Sequence, residues 1–302
     1  MNFELQQPNQ VISLATSALI VHVDVNVWTA TKQDRAISDE VTSAKNASSE
    51  AGKFTKNLLA NSPDHKALLN YRQTVYNWLQ RCTYDWAGAM RLLPMINLEK
   101  FKKEYEGHEK AFDDLFDKFI ASYPTMVSDA AFKQGDMFNR SEYPEPQDLR
   151  SRFKIKLFVT KVPQNDFRSN ISEVIAEDLR IGYEKQVGEI IDTVMSDASE
   201  RLVLFAERIS NACTESTANE DGKVKRKKIY DTTITQAKEL CETLKSFNLT
   251  NNTALEDARA RLENALDGVT CEDLRESSYA RSQVKESVDD LLSNFKPLKA
   301  FL

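Results

Sequence analysis

The sequence predicts a mainly α-helical protein with a small two-stranded β-sheet and a long antiparallel, coiled-coil-like helical arm. Its 302 residues include only 8 glycines and 8 prolines, while 28% of the residues are charged. This composition favours long, solvated helices over a sandwich or barrel. Apolar residues recur at helical spacing along most of the chain, and only two segments alternate strictly between apolar and polar residues. A chain of this length can bury a proper core without disulfides or metals.

Composition also limits the class of function. The net charge of −6 argues against bulk electrostatic attraction to nucleic acid, although a local basic patch remains compatible with it. The most apolar segment, VISLATSALIV at 11–21, is too short to span a bilayer and lacks the basic start of a signal peptide. Four dispersed cysteines and three single histidines show no metal-ligand spacing. We therefore expect a cytoplasmic chain with reduced cysteines and without a metal or cofactor.

The two alternating segments predict the sheet. Residues 19–28 contain valines at every second position from Val21 to Val27, and residues 153–161 alternate in the same way. Because a lone strand leaves its backbone groups unsatisfied, we expect these two strands to pair with each other. The polar residues between the valines, including His22 and Asp24, are then interpreted as scaffold rather than as catalytic groups.

The rest of residues 1–165 predicts a helical domain. Apolar spacing indicates helices over 34–60, over 63–82 after Pro63, and over 98–122. The last of these carries an aromatic stripe from Phe101 to Phe119, which is typical of core packing. The segment TYDWAGAMRLLPMIN between the second and third helices is expected to be a loop.

Residues 166–302 predict the arm. One apolar stripe continues from Ile171 to Ile209, which indicates a single helix of about fifty residues. A turn at 215–223 leads to a returning helix over 224–246 and a short helix over 253–266, begun by a capping box of Thr253 and Glu256. Thr270 with Asp273 starts a final helix to about residue 295.

Two candidate contact sites lie in this arm. The run KVKRKK at 223–228 is either a solvated turn beside the acidic NED or an exposed contact for phosphate or an acidic partner. Its basic residues are Lys223, Lys225, Arg226, Lys227 and Lys228. The second site is a part of the long stripe that the returning helix would leave open for self-association into a homo-oligomer. Its residues are Leu202, Leu204, Phe205 and Ile209.

The sequence contains no pattern that predicts an enzyme. GxGxxG, GxxxxGK[ST] and GxSxG are absent, and carboxylates are spread over exposed helix faces. Cys82 has His65 upstream, but no orienting third group is identifiable.

Several short segments carry a resemblance to a known family. They are VNVWTATKQD, DWAGAMRLLP, FIASYPTMV and YPEPQDLRSRFKIKLFVTKVPQNDFR. Over residues 12–210, in this order and spacing, the chain resembles an uncharacterised family of tailed-phage and prophage proteins without assigned activity. The matching positions are Trp28, Leu92, Leu93, Pro94, Tyr143, Pro144, Arg152 and Phe153.

The resemblance implies a context rather than a chemistry. Members of that family often lie near genes for a MoxR-type AAA+ ATPase and a von Willebrand A domain protein. The expectation is a non-enzymatic protein of the infected host cytoplasm that self-assembles or serves such an ATPase system. Two alternatives stay open: a nucleic-acid-associated protein that uses the basic run, and a virion structural component.

Overall fold

The computed structural model describes residues 14–60, 62–163, 173–214 and 227–298. The chain divides into two compact units, each discontinuous in sequence. The first unit comprises Met1–Val21, Thr83–Leu98 and Val159–Leu302, and the second comprises His22–Cys82 and Glu99–Phe158. The first unit thus includes three segments, 1–21, 83–98 and 159–165, from the part of the chain in which the sequence predicts the helical domain.

Helices predominate among the described residues, as predicted. The α-helices are α1 (Leu14–Ser17), α2 (Arg35–Ala44), α3 (Pro63–Cys82), α4 (Leu98–Gln134), α5 (Pro146–Leu149), α6 (Glu173–Cys213), α7 (Asp231–Phe247), α8 (Thr253–Leu266), α9 (Cys271–Glu276) and α10 (Ser278–Asn294). The strands are β1 (Ala18–Asn26), β2 (Thr31–Asp34), β3 (Phe54–Asn57), β4 (Tyr84–Ala87), β5 (Met90–Pro94) and β6 (Lys154–Lys161).

The predicted two-stranded sheet is wrong. β1 and β6 are neighbours, but they belong to a four-stranded sheet in the order β4-β5-β1-β6, and β2 and β3 form a second sheet. β5 runs antiparallel to β1, with Ala18 opposite Pro94. The hairpin β4–β5 occupies the segment expected to be a loop. Its strands are too short for period-two alternation to be recognised, and Gly88 takes a positive φ of 57° in the turn between them.

The second unit also corrects the helix predicted over 34–60. α2 ends at Ala44, and the chain returns as β3 against β2, with Thr31 opposite Asn57. Asn46 follows with a positive φ of 50°, which no helix interior accepts. Beyond Ala44 the apparent periodicity rests on Ala47 and Ala51, which bury little area, and on Phe54 and Leu58, which instead lie in β3 and in the turn after it.

The aromatic stripe of α4 forms the core of the second unit, as predicted. Phe101, Phe112 and Phe119 are almost fully buried. The ring of Phe119 lies 5.1 Å from that of Phe153, which stands directly before β6. α4 itself continues past the predicted end through Pro124 to Gln134.

A buried lysine ties the small sheet of the second unit to the segment after α4. Lys56 Nζ lies 3.1 Å from Asp34 Oδ2 and 2.8 Å from Glu142 Oε2. It also donates to the carbonyl oxygen of Met137 at 2.9 Å. Burial disfavours the charge, but the contacts with Glu142 and Asp34 outweigh that effect, and the pKa of Lys56 lies above its usual value. One hydrogen bond and two ion pairs thus hold the buried ammonium group.

In the first unit, the predicted coiled-coil-like arm is replaced by a multi-helix core. α6 is a single helix of 41 residues, and it packs against α7, α8 and α10. Tyr84 and Leu92 of the hairpin enter the same core. The hairpin thus covers part of α6, whereas the sequence predicted that α7 and the later helices alone would cover this helix.

The helix ends of this unit agree with the sequence in part. Thr270 and Asp273 start a helix as predicted, and they form a capping box at its N-terminus. This helix, α9, ends at Glu276, and a new helix, α10, begins after Ser277. The cap of α8 is Asn252, whose side chain accepts from the Leu255 N–H, so the capping box assigned to Thr253 and Glu256 is wrong. Asn is a strong N-cap residue in its own right.

Arg281 on α10 holds three segments of the first unit together. The residue is only 2% exposed. Its guanidinium donates to the carbonyl oxygens of Leu274 in α9, Ala212 in α6 (3.0 Å) and Lys227 (3.1 Å). Two of these acceptors lie in the last turns of helices, where carbonyls lack intrahelical donors and the helix dipole favours a cation.

Replacing Arg281 with Met should therefore destabilise the first unit. We expect the free energy of unfolding to fall by roughly 3 kcal/mol, because three carbonyls lose a charged donor together. Urea unfolding followed by circular dichroism measures the change. Arg261→Met, which removes the exposed ion pairs of Arg261 with Asp257 and Asp290, is the control and should cost at most about 1 kcal/mol. Equal destabilisation of the two variants would contradict this role.

Candidate interaction surfaces on helix α6 and beside helix α7

The apolar stripe of α6 is covered over only part of its length. From Val194 onward its residues are buried in the core of the first unit. Toward the N-terminus the burial falls: Val187 is half-buried, Leu179 is 47% exposed and Ile175 is 52% exposed. The same helix face is thus a core face at one end and a surface at the other.

The predicted self-association residues lie on the covered part. Leu202 is fully buried and Ile209 is 1% exposed, so both pack inside the first unit. Phe205 is half-buried against that core. Leu204 is 43% exposed, but it faces away from the stripe. The sequence indicated an incompletely covered stripe, but it did not show which end α7, α8 and α10 would leave open.

The predicted basic contact site is described only at its end. Lys223, Lys225 and Arg226 lie outside the described residues. Lys227 and Lys228 are exposed, and Lys228 Nζ lies 5.0 Å from the centre of the Tyr230 ring. Tyr230 follows the basic run by two residues in the sequence.

A cavity of about 310 Å³ lies beside the start of α7 in the first unit. Its lining residues come from the end of α6, from the residues just before and within the first turn of α7, and from α9. They are Arg208, Ile209, Ala212, Cys213, Lys228, Ile229, Tyr230, Thr233, Ile234 and Leu274. Sequence reasoning missed this cavity because its residues are separated by up to 66 positions and share no motif.

The described residues hold no group of three or more His, Cys, Asp or Glu side chains that could bind a metal ion. All four cysteines are free thiols. Burial raises the pKa of Cys241 to about 12, so that this thiol stays protonated and weakly nucleophilic at neutral pH. Cys82 and His65 lie near opposite ends of α3, seventeen residues and thus about 25 Å apart.

Among the helices of the described chain, none is both long and apolar enough to cross a membrane.

His65 is a buried structural histidine in the second unit. Its Nε2 lies 2.6 Å from the carbonyl oxygen of Trp28, and its ring packs near those of Trp28 and Phe119. Since a carbonyl only accepts, Nε2 carries the hydrogen. Burial lowers the pKa of His65 below its usual value, and the Trp28 carbonyl opposes that effect only in part.

The residues that carry the family resemblance are mostly core residues. Leu92 and Leu93 are fully buried, Phe153 is 1% exposed and Tyr143 is 3% exposed. The Tyr143 hydroxyl donates to the carbonyl oxygen of Leu58 at 3.0 Å. Their burial indicates that these side chains contribute to packing. A comparison of the chain with known protein families, with curated proteins and with solved structures finds no match.

His65 should make stability depend on pH. Its folded pKa is lower than its unfolded pKa, so below the unfolded value the unfolded chain binds the proton more readily and the free energy of unfolding falls. His65→Gln keeps an amide donor for the Trp28 carbonyl without titrating. We expect the stability advantage of the natural protein over this variant to shrink between pH 8 and pH 5 in urea titrations. An advantage that stays constant across this range would contradict the assignment.

Proposed function

We propose that this chain is a non-enzymatic protein that acts by self-association, with the N-terminal half of α6 pairing with the same segment of a second copy. The observation that supports the proposal is the exposed end of the α6 stripe, where Ile175 and Leu179 continue a face that is buried from Val194 onward. An isolated helix gains little stability from propensity alone. Covering this face with another apolar helix face removes its side chains from water and stabilises the helix.

The stripe is complementary to itself in an antiparallel alignment. Its members Ile175, Leu179, Tyr183 and Val187 follow one another at intervals of four residues. When Ile175 of one copy faces Val187 of the other, Leu179 faces Tyr183, and the same contacts recur by two-fold symmetry. Such isologous interfaces are the commonest way in which identical chains form dimers.

The charged residues of this segment do not decide the alignment. Glu177 and Lys185 are each two residues from a member of the stripe, so they point about 200° around the helix from it and do not face the second copy. Asp178 approaches Glu184 of the other copy, a pair of like charges, but Arg180 already holds Glu184 at 2.7 Å within the helix. Exposed pairs of this kind contribute at most about 1 kcal/mol each, so apolar contact decides the association.

The biological setting of the proposal comes from the resemblance to tailed-phage and prophage proteins. It supports a protein of the infected host cytoplasm that assembles with itself and serves a MoxR-type AAA+ ATPase or a von Willebrand A domain partner. No catalytic residue follows from the resemblance, in keeping with the proposed non-enzymatic role.

Leu179→Glu should weaken self-association without unfolding the chain, because it places a charge in the proposed interface at a position that is exposed in the single chain. Ile181→Glu is a matched control. Ile181 is 54% exposed, but at two residues from Leu179 it points about 200° around the helix. Sedimentation velocity across a concentration series should show at least a tenfold increase in the dimer dissociation constant for Leu179→Glu alone.

A natural protein that stays monomeric at the highest concentration would refute self-association. Equal weakening by the two variants would place the contact elsewhere. If the chain is monomeric alone but binds the ATPase in a manner that only Leu179→Glu weakens, the same face serves another protein and the proposed occupant is wrong.

A second candidate function, nucleic-acid association, is favoured by the exposed Lys227 and Lys228. Charge reversal of both should weaken DNA binding and reduce the slope of log K against log salt by about 0.9 for each phosphate that the protein no longer neutralises. Lys102 and Lys103, another pair of exposed neighbouring lysines, provide the control when reversed together. Fluorescence anisotropy with a labelled duplex at several salt concentrations measures both. No binding at low salt, or equal effects of the two pairs, would remove this candidate.

A further inference from the structure

The cavity beside α7 combines an apolar floor with a cationic rim. Ile209, Ile229 and Leu274 line it and are each no more than 2% exposed. Arg208 and Lys228 line it as well. At about 310 Å³ the cavity lies at the lower end of the range of small-molecule sites, roughly 300–1,000 Å³.

The two cations of the rim have no carboxylate partner among the described residues. The Arg208 guanidinium lies 5.8 Å from the centre of the Phe205 ring, and Lys228 Nζ lies over Tyr230. These ring contacts leave the hydrogen-bond donors of both side chains available. A guanidinium and an ammonium that share one cavity favour a ligand with a negative charge.

The N-terminus of α7 adds to the positive electrostatic potential in this cavity. Tyr230 is the N-cap residue, and its side chain makes no capping hydrogen bond. Thr233 and Ile234, in the first turn, line the cavity. The partial positive charge of a helix N-terminus therefore acts on the cavity in the same direction as Arg208 and Lys228.

We propose that this cavity binds a small organic anion, namely a carboxylate with a compact apolar body. The acidic group meets Arg208 and Lys228, and the apolar part lies against Ile209, Ile229 and Leu274. A neutral apolar ligand would leave the cations without a partner, and an inorganic anion would leave the apolar floor uncovered. The assignment is independent of self-association through the N-terminal half of α6.

Isothermal titration calorimetry with octanoate, octanol and inorganic phosphate tests both halves of the recognition. Octanoate should bind with one site per chain, octanol at least tenfold more weakly, and phosphate not measurably. Arg208→Gln and Lys228→Gln should each weaken octanoate binding about tenfold. Lys238→Gln, on α7 but not in the cavity lining, should leave it unchanged.

A second readout locates the ligand. Cys213 lines the cavity, so bound octanoate should slow its alkylation by N-ethylmaleimide, followed by peptide mass spectrometry, while the rate at the half-buried Cys82 stays the same. Thr233→Phe, which fills the cavity, should abolish both binding and protection. Absence of octanoate binding, equal affinity for octanol, or binding that neither Gln variant weakens would overturn the proposal.

Discussion

The first unit depends on one buried cation that has no carboxylate among its hydrogen-bond acceptors. Arg281 is neutralised by dipoles: three main-chain carbonyls, two of them in helix C-terminal turns, accept its protons. Each acceptor is a cavity-lining residue or its neighbour in the chain, since Ala212 and Leu274 line the cavity and Lys227 precedes Lys228. The guanidinium therefore sets the position of the cavity walls while leaving Arg208 and Lys228 outside its own network.

The buried cation of the second unit is balanced by carboxylates rather than by carbonyl dipoles alone. Lys56 is surrounded by two carboxylates and one carbonyl oxygen, so its charge is balanced by full charges on separate segments. Such a cluster adds little net stability compared with apolar packing, but it tolerates few alternative arrangements. It fixes the small β2–β3 sheet against the chain after α4. Apolar contacts hold the centre of this unit, and ions fix its edge.

An element could be predicted from the sequence when the interactions that stabilise it join residues that are close together in the chain. α3 and α6 were predictable, because a cap or a long apolar stripe is written in consecutive residues. The β4–β5 hairpin was not, because its strands are short and are stabilised by β1, over sixty positions away. For the candidate sites the limit is the same. The stripe of α6 is visible in the sequence, but which end of it stays exposed depends on how far α7, α8 and α10 extend along the helix. The cavity, assembled from α6, α7 and α9, leaves no local signal at all.

The discontinuity of the two units imposes an order on folding during synthesis. Residues 18–21 reach the ribosome exit early, yet the helices that bury the first unit follow residue 173. The second unit needs nothing beyond residue 158, so it is able to fold while the remaining half of the chain is still being made. During that interval the first half of β1 and the β4–β5 hairpin expose apolar faces, because α6 has not yet been synthesised to cover them. A nascent chain of this design is therefore most dependent on chaperones between the emergence of Pro94 and that of α10. Premature termination after residue 158 and before α10 would leave a folded second unit joined to exposed apolar segments, which is a fragment prone to aggregation.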